Sequence, residues 1–514
     1  SRGLRSYFGN VVKGQPKVYD TPFARGESTE DLLANWLDVL KSIEDRWPTL
    51  WQFENDLAKK VGPMSVMKPL EERMSDIDSY YDSISLESTP INDRAIHAVI
   101  SEFSKIRGLR VRGQDRTVRE MKKSTNSGSP YFTKRRKVTD DTVPCKVSWH
   151  GEVVDQLLSS GDFNAAAVLG WRGQEGGPNP EDVKQRVVWM FPYAVNIEEL
   201  AVYQPLIESA QKTQLVPAWV SMESVDQRIT RMFDTKRDDD LVVCTDFSKF
   251  DQHFGPVMQD AAMQILTAIL ENSPTSRRWL RDVFPIKYMI PLAFDYGKVR
   301  FGLHGMGSGS GGTNADETLA HRALQYEAAI ANSARLNPNS QCLGDDGILT
   351  YPGITVEDVV REYSKHGLEM NVDKQYSSTQ DCTYLRRWHH KDYRLDGVCV
   401  GVYSTCRALG RLRYLERFMD PSVWDAKAVA LRQLSILENV KYHPLKEQFV
   451  EFCMERDKYR LGIDIPHFLD DIRAVAQEKI DAMPDFLGYT RSQQSPDDEL
   501  AGIQNWWIVQ FLKS

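Results

Sequence analysis

The chain has 514 residues, 41% of them hydrophobic, with twelve Trp, twenty Tyr and twenty Phe; this excludes disorder and predicts three or more lobes with large cores. A net charge of -8 does not exclude a polyanionic ligand, because local field rather than total charge governs phosphate binding. Seven Cys without a Cys-x-x-Cys pair exclude a disulfide framework and a zinc finger, and the lack of a long apolar run, a leader or a Gly-x-x-x-x-Gly-Lys loop predicts a soluble protein with no membrane contact that is not an energy-transducing NTPase.

Residues 1–27 carry Arg, Lys, Gly and Pro without periodicity and predict an extended arm. Ser28-Thr29-Glu30-Asp31 then reads as a capping box, and Leu33, Trp36, Leu37, Leu40 and Trp47 follow at the spacing of a core helix. From Lys105 to Lys137 stand twelve Lys or Arg against two acids. Ser127-Gly128-Ser129-Pro130 interrupts that run where a phosphate can approach main-chain N–H groups, so the run reads either as a solvated face or as a track for a nucleic-acid backbone. Arg172 and the strand from Lys184 to Phe191 form a second basic element. Lys184 and Arg186 share one face of that strand and Val187 and Trp189 the other, which sets two cations side by side as a triphosphate requires.

The acidic elements come next. Leu241 to Thr245 is an apolar strand that delivers Asp246 at its end, with Asp251 five residues later; Asp238-Asp239-Asp240 before it reads as a polar loop. Val257–Leu270 predicts a helix and Tyr288–Phe301 predicts strands. From Gly305 to Gly312 there are five Gly in eight residues, and Thr313-Asn314 opens a helix behind them, a flexible loop feeding a helix N-terminus that favours anions. Cys342 to Tyr351 carries Gly344-Asp345-Asp346-Gly347 between two apolar runs and predicts a hairpin with an acidic tip, Asp-Gly supplying the turn. Two strands that each end in Asp can share a metal, and Mg2+ in phosphoryl transfer asks for only one or two carboxylates per ion. Asp246, Asp345 and Asp346 are therefore the candidate catalytic and metal-binding residues. Further on, Asp420-Pro421 predicts a helix start, Phe468 to Ile480 another helix, and the apolar tail Asn505–Leu512 a segment docked on the protein or an initiation platform in the product channel.

In order and spacing these elements resemble viral RNA-dependent RNA polymerases of the right-hand fold. Asp246-x-x-x-x-Asp251 resembles their motif A, Ser308-Gly309-x-x-x-Thr313 motif B and Gly344-Asp345-Asp346 motif C. Ser127–Pro130 resembles motif G, Lys184-x-Arg186 motif F, Lys374 the motif D lysine, and Tyr384-Leu385-Arg386-Arg387-Trp388 motif E. The wording around Asp246 is most similar to polymerases of small double-stranded RNA viruses, picobirnaviruses first and partitiviruses second. The resemblance implies an α+β fold of fingers, a palm with an antiparallel sheet, and a helical thumb. Expected bounds are 1–70 for an N-terminal arm and helix bridging to the thumb, 71–240 for the fingers, 241–270 and 304–400 for the palm, 271–303 for a fingers insertion, and 401–514 for the thumb and tail.

The resemblance further implies template-directed, primer-independent RNA synthesis with Mg2+, for which Mn2+ can substitute. The implied partners are RNA template and product, ribonucleoside triphosphates and a viral capsid protein, and the implied place is the virion interior and host cytoplasm. Asp246, Asp345 and Asp346 would hold metal, and Lys374 would give a proton to pyrophosphate. Lys184, Arg186, Arg172, Ser308, Thr313 and Asn314 would contact the nucleotide; Ser127, Gly128, Ser129, Pro130, Gly309, Arg386 and Arg387 would contact RNA. Asp251 would face the incoming ribose. Many relatives place its Asn partner four residues beyond the motif B threonine, where this chain has Glu317; two facing carboxylates repel, so Asn314 or Thr313 is the expected partner. A reverse transcriptase would share the carboxylates but is expected to put a bulky residue at position 251, and an RNA-packaging protein would not need them.

Overall fold

The computed structural model describes residues 2–480, Met483 and 502–514; the rest of the expected thumb between 481 and 501 lies outside the described residues. In chain order the strands are β1 (Lys146–His150), β2 (Val153–Leu158), β3 (Gly161–Ala165), β4 (Ala167–Gln174), β5 (Lys184–Met190), β6 (Val242–Thr245) and β7 (Leu292–Asp295). After them come β8 (Lys298–Arg300), β9 (Gln341–Leu343), β10 (Asp346–Leu349), β11 (Tyr376–Ser378), β12 (Asp381–Tyr384), β13 (Arg387–His390) and β14 (Val402–Tyr403). They pair as β1-β2-β3, β5-β4-β7-β8, β11-β6-β10-β9 and β12-β13-β14.

The sheet β11-β6-β10-β9 is antiparallel throughout. Every residue of β6 is buried, which is why Val242-Val243-Cys244 reads as an unbroken apolar run instead of alternating. The helix Thr313–Ala331 lies against this sheet; Ala315, Ala320 and Ala323 on it are buried, and Gln325 Nε2 donates to the Gln341 and Ile348 carbonyls at 2.9 and 3.2 Å. Small residues admit the close approach, and the amide fixes the helix to β9 and β10.

A second core joins the N-terminal helices Thr29–Leu40 and Pro48–Ala58 to the C-terminal helices, with Leu32, Trp36 and Leu50 buried among Leu409, Leu431 and Phe449. Trp36 Nε1 donates to Thr405 Oγ1 at 2.8 Å. Glu54, fully buried, accepts from the Thr405 N–H at 3.0 Å and from the Cys406 N–H at 3.3 Å, satisfying donors that the start of a helix leaves unpaired. The N-terminal helix Pro48–Ala58 thus caps the start of the C-terminal helix Thr405–Arg413. All seven cysteines are buried and free, and no helix of the described residues is long and apolar enough to cross a membrane.

Several local expectations are corrected. Arg2–Lys13 is a helix, not an extended arm, because Phe8 and Val11, three apart, are buried on one face; packing supplies what its glycines deny it. Only the stretch after Lys13 is extended, with single β-bridges from Gln15 to Met67 and from Asp20 to Tyr414. Thr29–Leu40 ends before Trp47. The helix expected at Asp420-Pro421 begins at Ala426, where the Asp425 side chain accepts from the Ala428 N–H, and its successor covers only Ile472–Lys479. The tail is docked: Ile508, Val509 and Leu512 are buried in the second core, and Glu438 accepts from the Trp507 and Ile508 N–H groups.

Candidate active site

β6 and β10 run antiparallel with Thr245 opposite Gly347, so Asp246, the residue after β6, emerges beside the acidic tip. The tip differs from the expected one. Its turn is Gly344-Asp345, with Leu343 paired to Asp346 and a φ of +58° at Gly344, as a tight hairpin requires at its first central position. Gly347 lies inside β10 and is glycine for another reason: a Cβ there would stand 2.7 Å from the His321 ring. The helix Thr313–Ala331 holds the hairpin from behind. Thr318 Oγ1 accepts from the Gly344 N–H at 2.9 Å, and His321 Nδ1 donates to the Gly344 carbonyl at 2.8 Å. Burial pushes His321 down to about 4, so the ring stays neutral.

Asp246 and Asp345 are exposed and Asp346 is half-buried. The cleft walls nevertheless raise the proton affinity of all three. For Asp246 the rise is opposed by Lys374, then Lys60, then Lys184. For Asp345, desolvation is reinforced by Asp251 and opposed by Arg186 and Arg386. Asp346 is pushed up to about 7 by burial and then by Asp345, and its carboxylate accepts from the Leu385 N–H at 2.7 Å. The Asp246 main chain is clamped from both sides, its N–H donating to Gln375 Oε1 at 2.7 Å and its carbonyl accepting from Gln375 Nε2 at 2.9 Å. Gln375 thus carries its exposed neighbour Lys374 to the site.

Glu317 overturns the expected pairing of Asp251. It is buried and hydrogen-bonded to Asp251, and burial, followed by the charge of Asp251, holds its carboxyl well above the usual carboxylate range. A protonated Glu317 donating to Asp251 removes the repulsion that argued against this pair. Of the alternatives, Asn314 has its Oδ1 accepting from Trp219 Nε1 at 2.7 Å, and Thr313 Oγ1 lies within 3.3 Å of the Gly307, Ser308 and Ser310 carbonyls. Glu317 Oε2 has no partner among the described residues.

β5 alternates as predicted, Lys184 and Arg186 exposed, Val187 and Trp189 buried. Register sets Arg172 opposite Arg186, and Gln174 Oε1 accepts from Arg186 Nε at 2.7 Å. Burial, then the charges of Lys60, Arg186 and Arg386, lower Lys184. Burial and neighbouring arginines bring Arg386 down to about 10; Glu175 lies 3.7 Å from it. The acidic strand ends are thus acted on by crowded cations from β5 and from Arg386.

A profile described as viral RNA-dependent RNA polymerase matches residues 64–396. The chain belongs to this family. It is 63% identical, over its whole length and 96% of the relative's, to a potential RNA-dependent RNA polymerase of human picobirnavirus (strain Human/Thailand/Hy005102/-). It is similar also to two crystal structures of the RNA-dependent RNA polymerase of a human picobirnavirus, each 61% identical and covering all of this chain. One covers 97% of the solved chain at a TM-score of 0.95; the other, an insertion-loop deletion mutant, covers 96% at 0.94. The polymerase fold is therefore the α+β right hand.

In this polymerase the motif B loop is held by residues sequence reading missed. Glu199, buried on the helix Tyr193–Lys212, accepts from Ser310 Oγ and from the Gly311 N–H at 3.0 Å. Asn196 Nδ2 donates to Glu199 at 3.0 Å and to the Gly309 carbonyl at 3.2 Å, while its Oδ1 accepts from Arg135 at 2.7 Å. Arg135 also donates to the Asn126 carbonyl, so the motif B and motif G loops hang on one buried network. Its signal in the sequence was Asn196, Glu198 and Glu199 set among apolar residues in the first half of that helix. For His321 the signal was its place four residues after Glu317, on the same helix face. Ser308 Oγ accepts from the Trp189 N–H at 3.2 Å, and a Cβ at Gly309 would strike the Trp189 carbonyl at 1.7 Å.

Two expected RNA contacts are corrected. Arg387 is spent on Asp226, in a bidentate pair at 2.8 and 3.0 Å, with the wall at Gly401 behind it. Ser127 is buried and its Oγ accepts from the Thr133 N–H at 3.1 Å, so it shapes the loop whose half-exposed residues are Ser129 and Pro130. In the Asp238-Asp239-Asp240 loop, Asp240 is structural, pairing with Arg237 and accepting from the Gly353 N–H, while Asp238 and Asp239 are exposed. Among the described residues no three His, Cys, Asp or Glu converge as a ready-made metal site.

Proposed function

We propose that this polymerase extends RNA on an RNA template, without a primer, by a two-metal mechanism at Asp246 and Asp345. One observation carries the reading: β6 ends at exposed Asp246 next to the hairpin whose turn carries exposed Asp345, while Lys184 acts electrostatically on one and Arg186 on the other. Two carboxylates without a complete protein cage fit a hard cation such as Mg2+, with Mn2+ able to substitute, because such ions keep waters and substrate phosphates as ligands. Asp346, partly engaged by Leu385, would complete the set. When bound, the ions lower the pKa of the attacking hydroxyl and neutralise the triphosphate.

The chain's own residues do the rest. Lys184, Arg186 and Arg172 bind and orient the triphosphate, and Lys374 stands beside Asp246 to give a proton to departing pyrophosphate. Asp251, held by Glu317, accepts from the ribose 2'-hydroxyl; a site built to bond that hydroxyl rejects the deoxy analogue, whose loss leaves polar groups unpaired. Unprimed initiation, contact with capsid protein, and work inside the virion and host cytoplasm rest on the family resemblance. The docked tail supports no platform role for Trp506-Trp507. The test is purified protein with unprimed single-stranded RNA, labelled ribonucleotides and Mg2+ or Mn2+. Template-length product is expected; product only with an added primer removes the unprimed part of the reading, and none under any condition removes the whole.

A further inference from the structure

The N-terminal segment, to which sequence reading gave no chemistry, ends its second core helix at Ala58, and exposed Lys60 follows two residues later. Its course is fixed by contacts between main chains. A Cβ at Gly62 would meet the Gly177 carbonyl at 1.8 Å, and a Cβ at Gly173 would meet the Met64 carbonyl at 2.1 Å, so the segment lies directly on the loop between β4 and β5. The same loop abuts Lys184, whose Cγ is 3.2 Å from where a Gly176 Cβ would stand. On its other side Lys60 lines a small cavity with Glu175, Arg407 and Arg411.

Lys60 is exposed and has no carboxylate within ion-pair distance among the described residues. Glu175 does not neutralise it, because that carboxylate is already shared by Arg407 at 3.1 Å, Arg386 at 3.7 Å and Arg411 at 3.8 Å. Among the charges that crowd Lys184, Lys60 comes first, ahead of Arg186 and Arg386. Like charges crowded at a cleft wall repel until a polyanion arrives.

We propose that Lys60 is a further triphosphate-binding residue of this polymerase, supplied by the N-terminal segment beside Lys184 and Arg186. The inference rests on the reading of those two residues as triphosphate ligands, and the test separates them. Binding of inorganic tripolyphosphate to the full-length protein without metal, by calorimetry, and KM for ribonucleotides are measured for wild type, Lys60→Gln, Lys60→Arg and Lys184→Ala. Lys60→Gln is expected to weaken tripolyphosphate binding and raise KM by about tenfold, as for a lost hydrogen bond to a charged group, with RNA affinity and melting temperature unchanged; Lys60→Arg restores most of the loss. If Lys184→Ala weakens binding and Lys60→Gln does not, Lys60 is a surface lysine and the inference fails alone. If neither variant moves binding, the triphosphate reading fails with it. A Lys60→Gln loss that Lys60→Arg does not restore, or that follows a lowered melting temperature, assigns Lys60 to structure and overturns the proposal.

Discussion

Asp316 and Glu317 are neighbours on one helix, both buried, and face different regions of the molecule. Asp316 pairs with Lys287 at 3.0 Å in a fully buried ion pair and accepts from the hydroxyls of Tyr203 at 2.7 Å and Tyr288 at 2.6 Å. Its charge is matched and its oxygens are used. The charges that act most on Glu317 are other acids, Asp251 first and Asp345 next, and one of its oxygens has no partner among the described residues. A buried carboxyl with a matched charge anchors structure, whereas one left among like charges marks the place where a substrate completes the balance. The hairpin carboxylates belong with Glu317: desolvation raises all of them, and among the described residues no fixed cation pairs with them as Lys287 does with Asp316.

The comparison is sharpened most by removing charge on each side. Asp246→Asn and Asp345→Asn are expected to abolish ribonucleotide incorporation while melting temperature in the metal-free protein holds or rises, since each removes a like charge from a crowded cluster. Substantial turnover in either variant takes that residue out of the catalytic role. Asp316→Asn should do the reverse in kind, costing about 3–5 kcal/mol in denaturant unfolding because Lys287 is left buried and unpaired. A cost below about 1 kcal/mol would contradict the anchoring role, since even a surface pair reaches that size.

Smaller effects test the cleft side. Asp251→Ala should lower the preference for ribonucleotides over deoxyribonucleotides by at least about tenfold, roughly 1.4 kcal/mol, and Glu317→Ala should do the same. Glu317→Gln keeps a donor toward Asp251 and should change the ratio less. Competition assays with paired nucleotides decide it: if Asn314→Ala matches Asp251→Ala and Glu317→Ala does nothing, the partner is Asn314 after all. The smallest effect is on pH dependence. Asp346 holds its proton up to about 7 in the folded chain against an ordinary 3.8, so its contribution to stability is full below pH 3.8 and is lost as pH rises through 7. Metal-free Asp346→Asn should show a flatter decline in melting temperature between about pH 4 and 7, and an unchanged slope would place the titration elsewhere.

The sequence by itself determined the elements whose chemistry is local. The β6 apolar run with Asp246 at its end, the alternation that exposes Lys184 and Arg186, and the Gly-rich loop leading into the Thr313 helix were all legible, because strand period, turn chemistry and helix starts depend on near neighbours along the chain. The order of those motifs determined the family. Tertiary structure decided what each side chain is spent on. It turned the Asp-Gly of the hairpin into a strand glycine under the His321 ring, gave Arg387 to Asp226, buried Ser127, bonded Glu317 to Asp251, and laid the N-terminal segment around Gly62 on the loop between β4 and β5. The pairings of Arg387 and Glu317 depend on burial and on a charge brought from tens to hundreds of residues away, and in a low-dielectric cleft such neighbours fix protonation and pairing more strongly than anything adjacent in sequence.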